Sequence, residues 1–280
     1  MVSDDVYEAL QVSGGVEMGL FEKVFGSSNE NLKELFQCFS LQGKDVLTVL
    51  ASSDQFFYSV YFGAKKVDTF DHNPLTKYYY YLRRWMILYR HLYYLPKKAF
   101  QDRSYLDDLM FDIHPETEEE EQAHLFWKLY LKEATPKIHE GLYCSELSNS
   151  KNRIMDKDLL CERLLKIHPT FYAFDLFEDI FSSKTYDIVI ASNILEYGRT
   201  TLRFTKCRDN LKTLLRPGGK VINSRFTSSQ VSKYFDKEKE IFLSDFDFSE
   251  FVFEKKSIFF MKEPLGYSYQ KKYKMSTKNS

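Results

Sequence analysis

Two neighbouring stretches decide the fold of this chain: Val46-Leu-Thr-Val-Leu-Ala-Ser-Ser-Asp-Gln55 and Gly63-Ala-Lys-Lys-Val-Asp-Thr-Phe-Asp-His-Asn-Pro74. The apolar run Val46–Leu50 is rich in β-branched residues and predicts a strand that is buried on both faces. A tight turn of small residues follows, then a short helix over Gln55–Phe62 and a second strand over Val67–Phe70. Strand, helix and strand in this order predict a parallel βαβ unit.

An acidic residue, Asp71, stands at the end of the second predicted strand, twenty residues beyond Ala51. A parallel βαβ unit with an acid at this position is built to hold a nucleoside. The turn sets the ligand against the start of the helix, and the acid accepts hydrogen bonds from the ribose hydroxyls. The turn itself contains no glycine, so a positive φ would be costly there.

Composition narrows the class of protein. The chain has 280 residues and a net charge of -1, which gives no sign of a nucleic-acid-binding protein. Its four cysteines are scattered without a CxxC pair and its six histidines are dispersed, so we expect reduced cysteines and no metal site. The N-terminus does not resemble a signal peptide, and no apolar segment is long enough to cross a bilayer. We therefore expect a cytoplasmic protein.

A strong helix start follows the second strand, where Asn73 is a predicted N-cap and Pro74 stands in the first turn. Apolar residues at three- and four-residue steps predict that this helix continues through Tyr93 and that Pro96 ends it. The run Tyr78–Tyr81, with Arg83 and its basic neighbours, allows two interpretations. It could be a membrane-surface or single-stranded nucleic-acid face, but core packing of the tyrosines is favoured.

Strand signals return late in the chain, and they predict an α/β fold with a Rossmann-like, doubly wound, mainly parallel sheet. The later predicted elements are strands over Phe171–Phe174, Tyr186–Ala191 and Lys220–Asn223, a helix over Thr201–Leu215, and a closing antiparallel hairpin of Phe251–Phe253 with Ser257–Met261. The predicted segments are an N-terminal helical region (1–44), the core (45–95 and 168–265), a helical insertion after the second strand (96–167) and a flexible tail (266–280). In such sheets the ligand lies over the carboxyl ends of the strands.

On these residues the chain resembles class I S-adenosylmethionine-dependent methyltransferases. The resemblance covers residues 45–95 and 168–225, and four kinds of motif carry it in order. They are the small-residue turn Ala51-Ser-Ser-Asp54, the acids Asp71 and Asp175 after the second and third strands, the fourth-strand segment Tyr186-Asp-Ile-Val-Ile-Ala-Ser-Asn-Ile-Leu-Glu-Tyr197, and the run Leu211-Lys-Thr-Leu-Leu-Arg-Pro-Gly-Gly-Lys-Val-Ile222.

A narrower likeness concerns the segments Ser52-Ser-Asp-Gln55 and Asp71-His-Asn-Pro74 and the Tyr-rich helix that ends in Leu82-Arg83. These resemble an uncharacterised bacterial branch beside the aminocarboxypropyl transferases that build betaine-lipid headgroups. Those enzymes use the same cofactor but transfer its amino-acid chain. The chain departs from the wider family at Thr48, where an acid is usual, and at positions that usually carry glycine, namely Leu50, Ser52 and Asp54.

The resemblance implies S-adenosyl-L-methionine as cofactor and no metal. The implied cofactor-binding residues are Ala51, Ser52, Ser53, Asp54, Gln55, Asp71, His72, Asn73, Asp175, Leu176, Ser192 and Asn193; the candidates for a catalytic base are Tyr197, Glu196 and His72. Two roles for Asp54 stay open, because its carboxylate could pair with the cofactor's ammonium group or simply cap the helix. Likewise Asp175 could simply start the next turn.

The predicted function is that of an S-adenosylmethionine-dependent transferase, a methyltransferase acting on an unidentified acceptor. The helical insertion would cover the site and select that acceptor, and a small molecule or a lipid headgroup is favoured over nucleic acid. The alternatives are transfer of the 3-amino-3-carboxypropyl group, a non-catalytic module with a degenerate cofactor site, and an oxidoreductase using a nicotinamide cofactor. The sequence leaves the oligomeric state open.

Overall fold

The structure, a computed structural model, describes residues 2–13, 24–25, 32–37, 40–93, 103–134, 143–144, 154, 156–178, 184–192, 194, 201–226, 247–253 and 256–262. The chain divides into two compact units. The first unit comprises Met1–Ser40, Leu50–Phe62 and Asp71–Ala173, and the second comprises Leu41–Val49, Gly63–Phe70 and Phe174–Ser280.

Helices and strands follow one another in this order: α1 (Val2–Ser13), β1 (Val24–Phe25), α2 (Leu32–Gln37), β2 (Asp45–Val49), α3 (Asp54–Tyr61), β3 (Lys66–Phe70), α4 (Pro74–Arg90), α5 (Arg103–Asp112), α6 (Glu118–Glu133), β4 (Tyr143–Cys144), α7 (Lys157–Leu164), β5 (Phe171–Tyr172), β6 (Tyr186–Ser192), α8 (Thr201–Leu214), β7 (Leu215–Phe226), β8 (Asp247–Phe253) and β9 (Lys256–Lys262). Among the described residues, no helix has both the length and the apolar character needed to cross a membrane.

The second unit is built on a sheet in which β3, β2, β6, β7, β9 and β8 lie side by side in that order. Strand β2 runs parallel to β3 and β6, with Val46 opposite both Val67 and Ile188, and β6 runs parallel to β7. Strand β9 runs antiparallel to β7 and to β8. Because β2 has β3 on one side and the later strands on the other, the strand order reverses direction at β2.

The α/β fold class is confirmed, and the first two predicted strands agree with β2 and β3 to within one residue at each end. Every residue from Val46 to Val49 is buried, as a continuous apolar run predicts. The third predicted strand is too long, since β5 covers only Phe171–Tyr172. The fifth is too short, since β7 runs from Leu215 to Phe226.

A buried carboxylate crosslinks the sheet of the second unit. The Asp68 side chain on β3 is fully buried, and its Oδ2 atom accepts a hydrogen bond of 2.9 Å from the Tyr186 hydroxyl on β6. The ammonium groups of Lys66 and Lys184 lie 2.8 and 3.9 Å from the same oxygen. A buried charge is tolerated when it is paired and hydrogen-bonded, and these groups meet that condition for Asp68.

We expect Tyr186→Phe to lower the free energy of unfolding by about 1.5 kcal/mol, because the Asp68 carboxylate loses a hydrogen bond that no solvent can replace. Urea denaturation followed by circular dichroism measures the change. The control is Tyr7→Phe, since Tyr7 is 65% exposed and loss of its hydroxyl should change little. Equal stability of Tyr186→Phe and the wild type would contradict the assigned role of the hydroxyl.

Helix α4 of the first unit begins as predicted and ends earlier than predicted. The Asn73 side chain accepts a hydrogen bond from the Leu75 amide, and Pro74 occupies the first turn. The helix ends at Arg90, so the prediction that it continues through Tyr93 to Pro96 was wrong. His91 adopts a left-handed conformation with φ 50° and its amide donates to the Ile87 carbonyl, which closes the helix without a proline.

The four tyrosines of the run Tyr78–Tyr81 are all buried in the first unit, which confirms the core interpretation. The Tyr78 ring stacks on Phe126 of α6 with centroids 3.9 Å apart, and its carbonyl accepts a hydrogen bond of 2.8 Å from the Trp127 indole nitrogen. Arg83 and Arg84 are buried as well, so these two arginines do not form the exposed basic face that the sequence also allowed.

The predicted insertion contains α5, α6 and α7 among its described residues, all helical as expected. A two-residue strand interrupts the helical pattern, since Tyr143–Cys144 pairs in parallel with Val24–Phe25. The role of this segment in covering a site and the predicted segment boundaries stay predictions. The predicted tail, residues 266–280, lies outside the described residues.

Candidate functional site

The turn that follows β2 adopts a conformation that usually requires glycine. Ala51 and Ser53 have φ angles of 41° and 66°, and the Ser53 amide donates a hydrogen bond of 2.5 Å to the Leu50 carbonyl. The left-handed region costs a residue with a Cβ atom on the order of 1 kcal/mol. The turn therefore keeps the shape of a glycine-rich turn although its residues are not glycines, and other contacts must hold it.

Asp71 connects this turn to the start of α4. One carboxylate oxygen, Oδ2, accepts a hydrogen bond of 2.9 Å from the Ala51 amide, and the other, Oδ1, accepts one of 3.0 Å from the Asn73 amide. The side chain is 11% exposed. Burial raises the pKa of the Asp71 carboxyl above its ordinary value of 3.8, while the two amide hydrogen bonds oppose that rise.

His72 and Asn73, which connect Asp71 to α4, differ in solvent accessibility. The His72 side chain is half exposed, and its Nδ1 atom lies 3.8 Å from the Asp71 carboxylate. Asn73 is buried and uses its side-chain oxygen on the Leu75 amide and its carbonyl on the Thr76 hydroxyl, at 3.1 and 2.7 Å. His72 can therefore reach a ligand in solvent, whereas Asn73 mainly fixes the first turn of α4.

Asp54 neither caps α3 nor faces solvent. Ser53 is the N-cap residue, so the interpretation of Asp54 as the cap was wrong by one position. Asp54 lies in the first turn, where a carboxylate is stabilised by the helix dipole. Its side chain is fully buried, its Oδ1 atom lies 2.8 Å from the Arg83 guanidinium, and its Oδ2 atom accepts a hydrogen bond of 3.2 Å from the Ser52 hydroxyl.

Arg83 is a residue of this site that the sequence predictions did not include. Its guanidinium donates to the Ser52 carbonyl, to Asp54 and, at 3.0 Å, to the Tyr93 carbonyl. The Tyr93 hydroxyl in turn donates to Asp54 Oδ1 at 3.1 Å, and the guanidinium lies 5.0 Å from the Phe57 ring centroid. The available sequence signal was the position of Arg83 four residues after Tyr79, on the predicted apolar stripe of α4.

The remaining residues of the turn are small or buried. Among the described residues, the Ser53 hydroxyl oxygen is buried and has no hydrogen-bond partner. Gln55 is buried, and its carbonyl accepts a hydrogen bond of 2.7 Å from the Ser59 hydroxyl inside α3. A buried hydroxyl without a partner costs free energy, so Ser53 is the turn residue that would gain most from a polar ligand atom.

The predicted site residues of the second unit have local structural roles. Asp175 accepts a hydrogen bond of 3.0 Å from the Phe177 amide and pairs with the Arg203 guanidinium at 3.0 Å, which is the turn-starting role that the sequence left open. The Leu176 carbonyl accepts from the Asn210 side chain at 2.8 Å. Ser192 ends β6 with a φ angle of 52°.

Three predicted residues lie outside the described residues: Asn193, Glu196 and Tyr197. Among the described residues, no group of three or more His, Cys, Asp or Glu side chains could hold a metal ion. In the first unit, hydrogen bonds join Asp71 to Ala51 and Asn73, and a separate hydrogen bond joins Ser52 to Asp54. The cofactor contacts predicted for the second unit stay predictions.

No protein-family model and no curated protein matches this chain. The solved structures that resemble it include methyltransferases. NodS, an N-methyltransferase from Bradyrhizobium japonicum in complex with S-adenosyl-L-homocysteine, has 9% identity and a TM-score of 0.43, and the match covers 84% of this chain and 84% of that chain. A TehB-like SAM-dependent methyltransferase from Corynebacterium glutamicum has 8% identity and a TM-score of 0.43, with 94% and 98% covered. The glycopeptide N-methyltransferase MtfA has 10% identity and a TM-score of 0.43, with 86% and 92% covered.

We expect Ser53→Gly to raise the free energy of unfolding by up to about 1 kcal/mol, because glycine adopts the left-handed conformation without a Cβ clash. The matched control is Ser59→Gly in the interior of α3, which should lower it by about 1 kcal/mol or more. Urea denaturation of both variants and of the wild type measures the free energies of unfolding. A loss of stability at Ser53 as large as the loss at Ser59 would show that the turn is not strained.

Proposed function

We propose that this chain is an S-adenosylmethionine-dependent methyltransferase. The observation that carries the proposal is the contact between Asp71 and Ala51. It holds the acid at the end of β3 against the turn at the end of β2, and β2 is the strand at which the sheet order reverses. In open α/β sheets, ligands bind outside the carboxyl ends of the strands at that point.

The Asp71 carboxylate keeps the capacity to bind a ribose. A carboxylate has about four lone-pair sites, and the Ala51 and Asn73 amides occupy two of them, one on each oxygen. The Thr76 hydroxyl also interacts with the carboxylate, and the remaining acceptor capacity is what the hydroxyls of a ribose require. The side chain is 11% exposed, which gives a ligand access from one side.

Asp54 argues against a dinucleotide in this site. A pyrophosphate binds at a helix N-terminus that offers free amides and positive potential. At α3 the first turn already contains the buried Asp54 carboxylate. Arg83 is paired with that carboxylate, so its positive charge is not left for a phosphate. A sulfonium cofactor carries no phosphate, so this feature does not oppose it.

The turn fits the cofactor. The Ser53 hydroxyl is a buried donor without a partner in the described chain, and Ala51 and Ser53 already have the left-handed angles that bring the backbone close to a ligand. We propose that Asp71 binds the ribose and that the turn from Ala51 to Ser53 contacts the amino-acid part. Asp54 stabilises the turn through its ion pair with the Arg83 guanidinium.

The chemistry requires little from the protein beyond orientation. S-adenosylmethionine supplies a methyl group on a sulfonium sulfur that is already activated. The chain would hold the methyl donor and the acceptor in line, and this orientation is its main contribution to the rate of transfer. The exposed His72 beside Asp71 can take a proton from the acceptor. Glu196 and Tyr197 remain further candidates for this base, proposed from the sequence alone.

Titration with S-adenosylhomocysteine tests the cofactor site. We expect the wild type to bind it and Asp71→Asn to bind on the order of tenfold more weakly, because a neutral amide accepts hydrogen bonds from ribose less strongly than a carboxylate. Isothermal titration calorimetry measures both dissociation constants. Asp107→Asn, the same substitution at an exposed position of the first unit, is the control and should bind like the wild type. Equal binding by all three proteins would place the ligand elsewhere.

The affinity for S-adenosylhomocysteine should also depend on pH. The ionised Asp71 carboxylate accepts hydrogen bonds more strongly than the protonated carboxyl, and burial raises its pKa above 3.8. Lowering the pH should therefore raise the dissociation constant as Asp71 gains a proton, and because its pKa is raised this loss of affinity should begin at a higher pH than for an ordinary aspartate. Asp71→Asn should lack this dependence. A pH profile that is the same for both proteins would assign the titration to another group.

Two isotopic labels decide which part of the cofactor is transferred. Cofactor labelled in the methyl group and cofactor labelled in the aminocarboxypropyl chain are each incubated with the protein and a cell extract that supplies acceptors. We expect only the methyl label to appear in the product by mass spectrometry. Appearance of the other label instead would identify an aminocarboxypropyl transferase.

A further inference from the structure

We infer that Arg83 is a positioning residue for the cofactor, and that it acts through the turn between Ala51 and Asp54. Glycines would allow the left-handed conformation of this turn without strain. In their absence the guanidinium holds the turn in that conformation. This inference rests on the proposed function for the identity of the ligand. The effect of Arg83 on the turn itself can be tested without any ligand.

The guanidinium contacts the turn at both its backbone and its side chains. It donates to the Ser52 carbonyl and lies 2.8 Å from the Asp54 carboxylate, while a third contact of 3.0 Å reaches the Tyr93 carbonyl. Tyr93 closes the arrangement, since its hydroxyl donates to Asp54 at 3.1 Å. Both charged side chains are fully buried, so water competes little for these contacts.

The turn is held from two sides. Asp71 accepts from the Ala51 amide, and Arg83 donates to the carbonyl of the next residue, Ser52. Ser52 lies between Ala51 and Ser53, which are the two residues of this turn with positive φ. A strained backbone persists only when its surroundings over-determine it. An acid on one side holds the Ala51 amide, and an arginine on the other holds the Ser52 carbonyl.

Arginine suits this position better than lysine. The planar guanidinium presents five donors in a fixed fork, whereas a lysine ammonium is a compact and strongly hydrated charge. Arg83 uses this fork on three acceptors that lie in different directions, and its plane also lies near the Phe57 and Tyr93 rings, with both centroids 5.0 Å away. A lysine could neutralise Asp54 but could not bind Ser52 and Tyr93 at the same time.

The pairing also changes the predicted role of Asp54. A fully buried carboxylate that already contacts Arg83, Tyr93 and Ser52 is not available to the ammonium group of the cofactor. The turn then presents backbone atoms and the Ser53 hydroxyl, and Asp54 contributes through Arg83. Loss of Asp54 and loss of Arg83 should therefore have the same effect on ligand binding.

The neighbouring Arg84 is a matched control. It is buried in the same helix, and its guanidinium donates to the Leu164 carbonyl at 2.7 Å and lies 3.8 Å from Glu120. These contacts are with the end of α7 and the first turn of α6, and not with the turn before α3. Substitution of Arg84 removes a buried guanidinium from α4, as substitution of Arg83 does, but the contacts described for it are with Leu164, Ile167 and Glu120 and not with the turn.

The experiment compares Arg83→Met, Arg83→Lys, Asp54→Asn, the double variant Arg83→Met with Asp54→Asn, and Arg84→Met. Hydrogen–deuterium exchange of residues 50–57 without ligand is the first readout. We expect exchange there to accelerate roughly tenfold in Arg83→Met and Asp54→Asn. Arg84→Met should accelerate exchange near residues 157–167 and leave residues 50–57 unchanged.

The dissociation constant for S-adenosylhomocysteine is the second readout, measured where circular dichroism shows each variant to be folded. We expect binding on the order of tenfold weaker in Arg83→Met and Asp54→Asn, a smaller loss in Arg83→Lys, and none in Arg84→Met. The double variant should lose less than the product of the two single losses, because both remove the same interaction.

Two results would overturn the inference. One is wild-type exchange at residues 50–57 in both Arg83→Met and Asp54→Asn. The other is an equal effect of Arg83→Met and Arg84→Met on that segment and on binding, which would assign both arginines to general stability. If the wild type does not bind S-adenosylhomocysteine, the proposed function fails, and the exchange data alone decide the role of Arg83. If Arg83→Met does not fold, Arg83→Lys and Asp54→Asn decide the same question.

Discussion

The burial of one positive and one negative charge together is the constraint on which the candidate site depends. Neither Arg83 nor Asp54 would be tolerated in the interior alone, since an unpaired buried charge costs several kcal/mol. Their pairing ties the middle of α4 to the first turn of α3. The turn before α3 lies between this pair and the Asp71 carboxylate. A turn with no glycine can therefore keep a left-handed shape that its own residues would not select.

Much of the fold follows from local sequence signals. The strand at Val46 was predictable because a continuous β-branched run suits a strand covered on both faces, and the start of α4 was predictable because Asn73 and Pro74 act on the adjacent backbone. The acid at Asp71 was placed correctly beside Ala51 because parallel strands bring their carboxyl ends to one edge. In each case the deciding interaction spans a few residues or follows from sheet geometry.

The remaining details depend on contacts that sequence spacing does not encode. The sequence left open whether Asp54 caps α3, but Ser53 is the N-cap residue, and the difference of one residue follows from a turn conformation that serine rarely adopts. The end of α4 was predicted at Pro96, whereas a left-handed His91 stops the helix earlier and sends Tyr93 toward Asp54. The role of Arg83 depends on partners 31 and 10 residues away, so its position on the apolar stripe of α4 indicates burial but not the contact with the turn.

The order of strands in the second unit has a consequence for folding during synthesis on the ribosome. Strand β2 pairs with β3 soon after synthesis, but its other neighbour is β6, and the contact between Asp45 and Asp187 joins residues 142 positions apart. A pair of strands alone is marginally stable in water, so one edge of β2 stays open until the segment around Ile188 has left the exit tunnel. Long-range pairing of this kind slows folding and exposes strand edges to neighbouring chains. The unpaired edge of β2 can therefore pair with neighbouring chains until the segment around Ile188 has been synthesised.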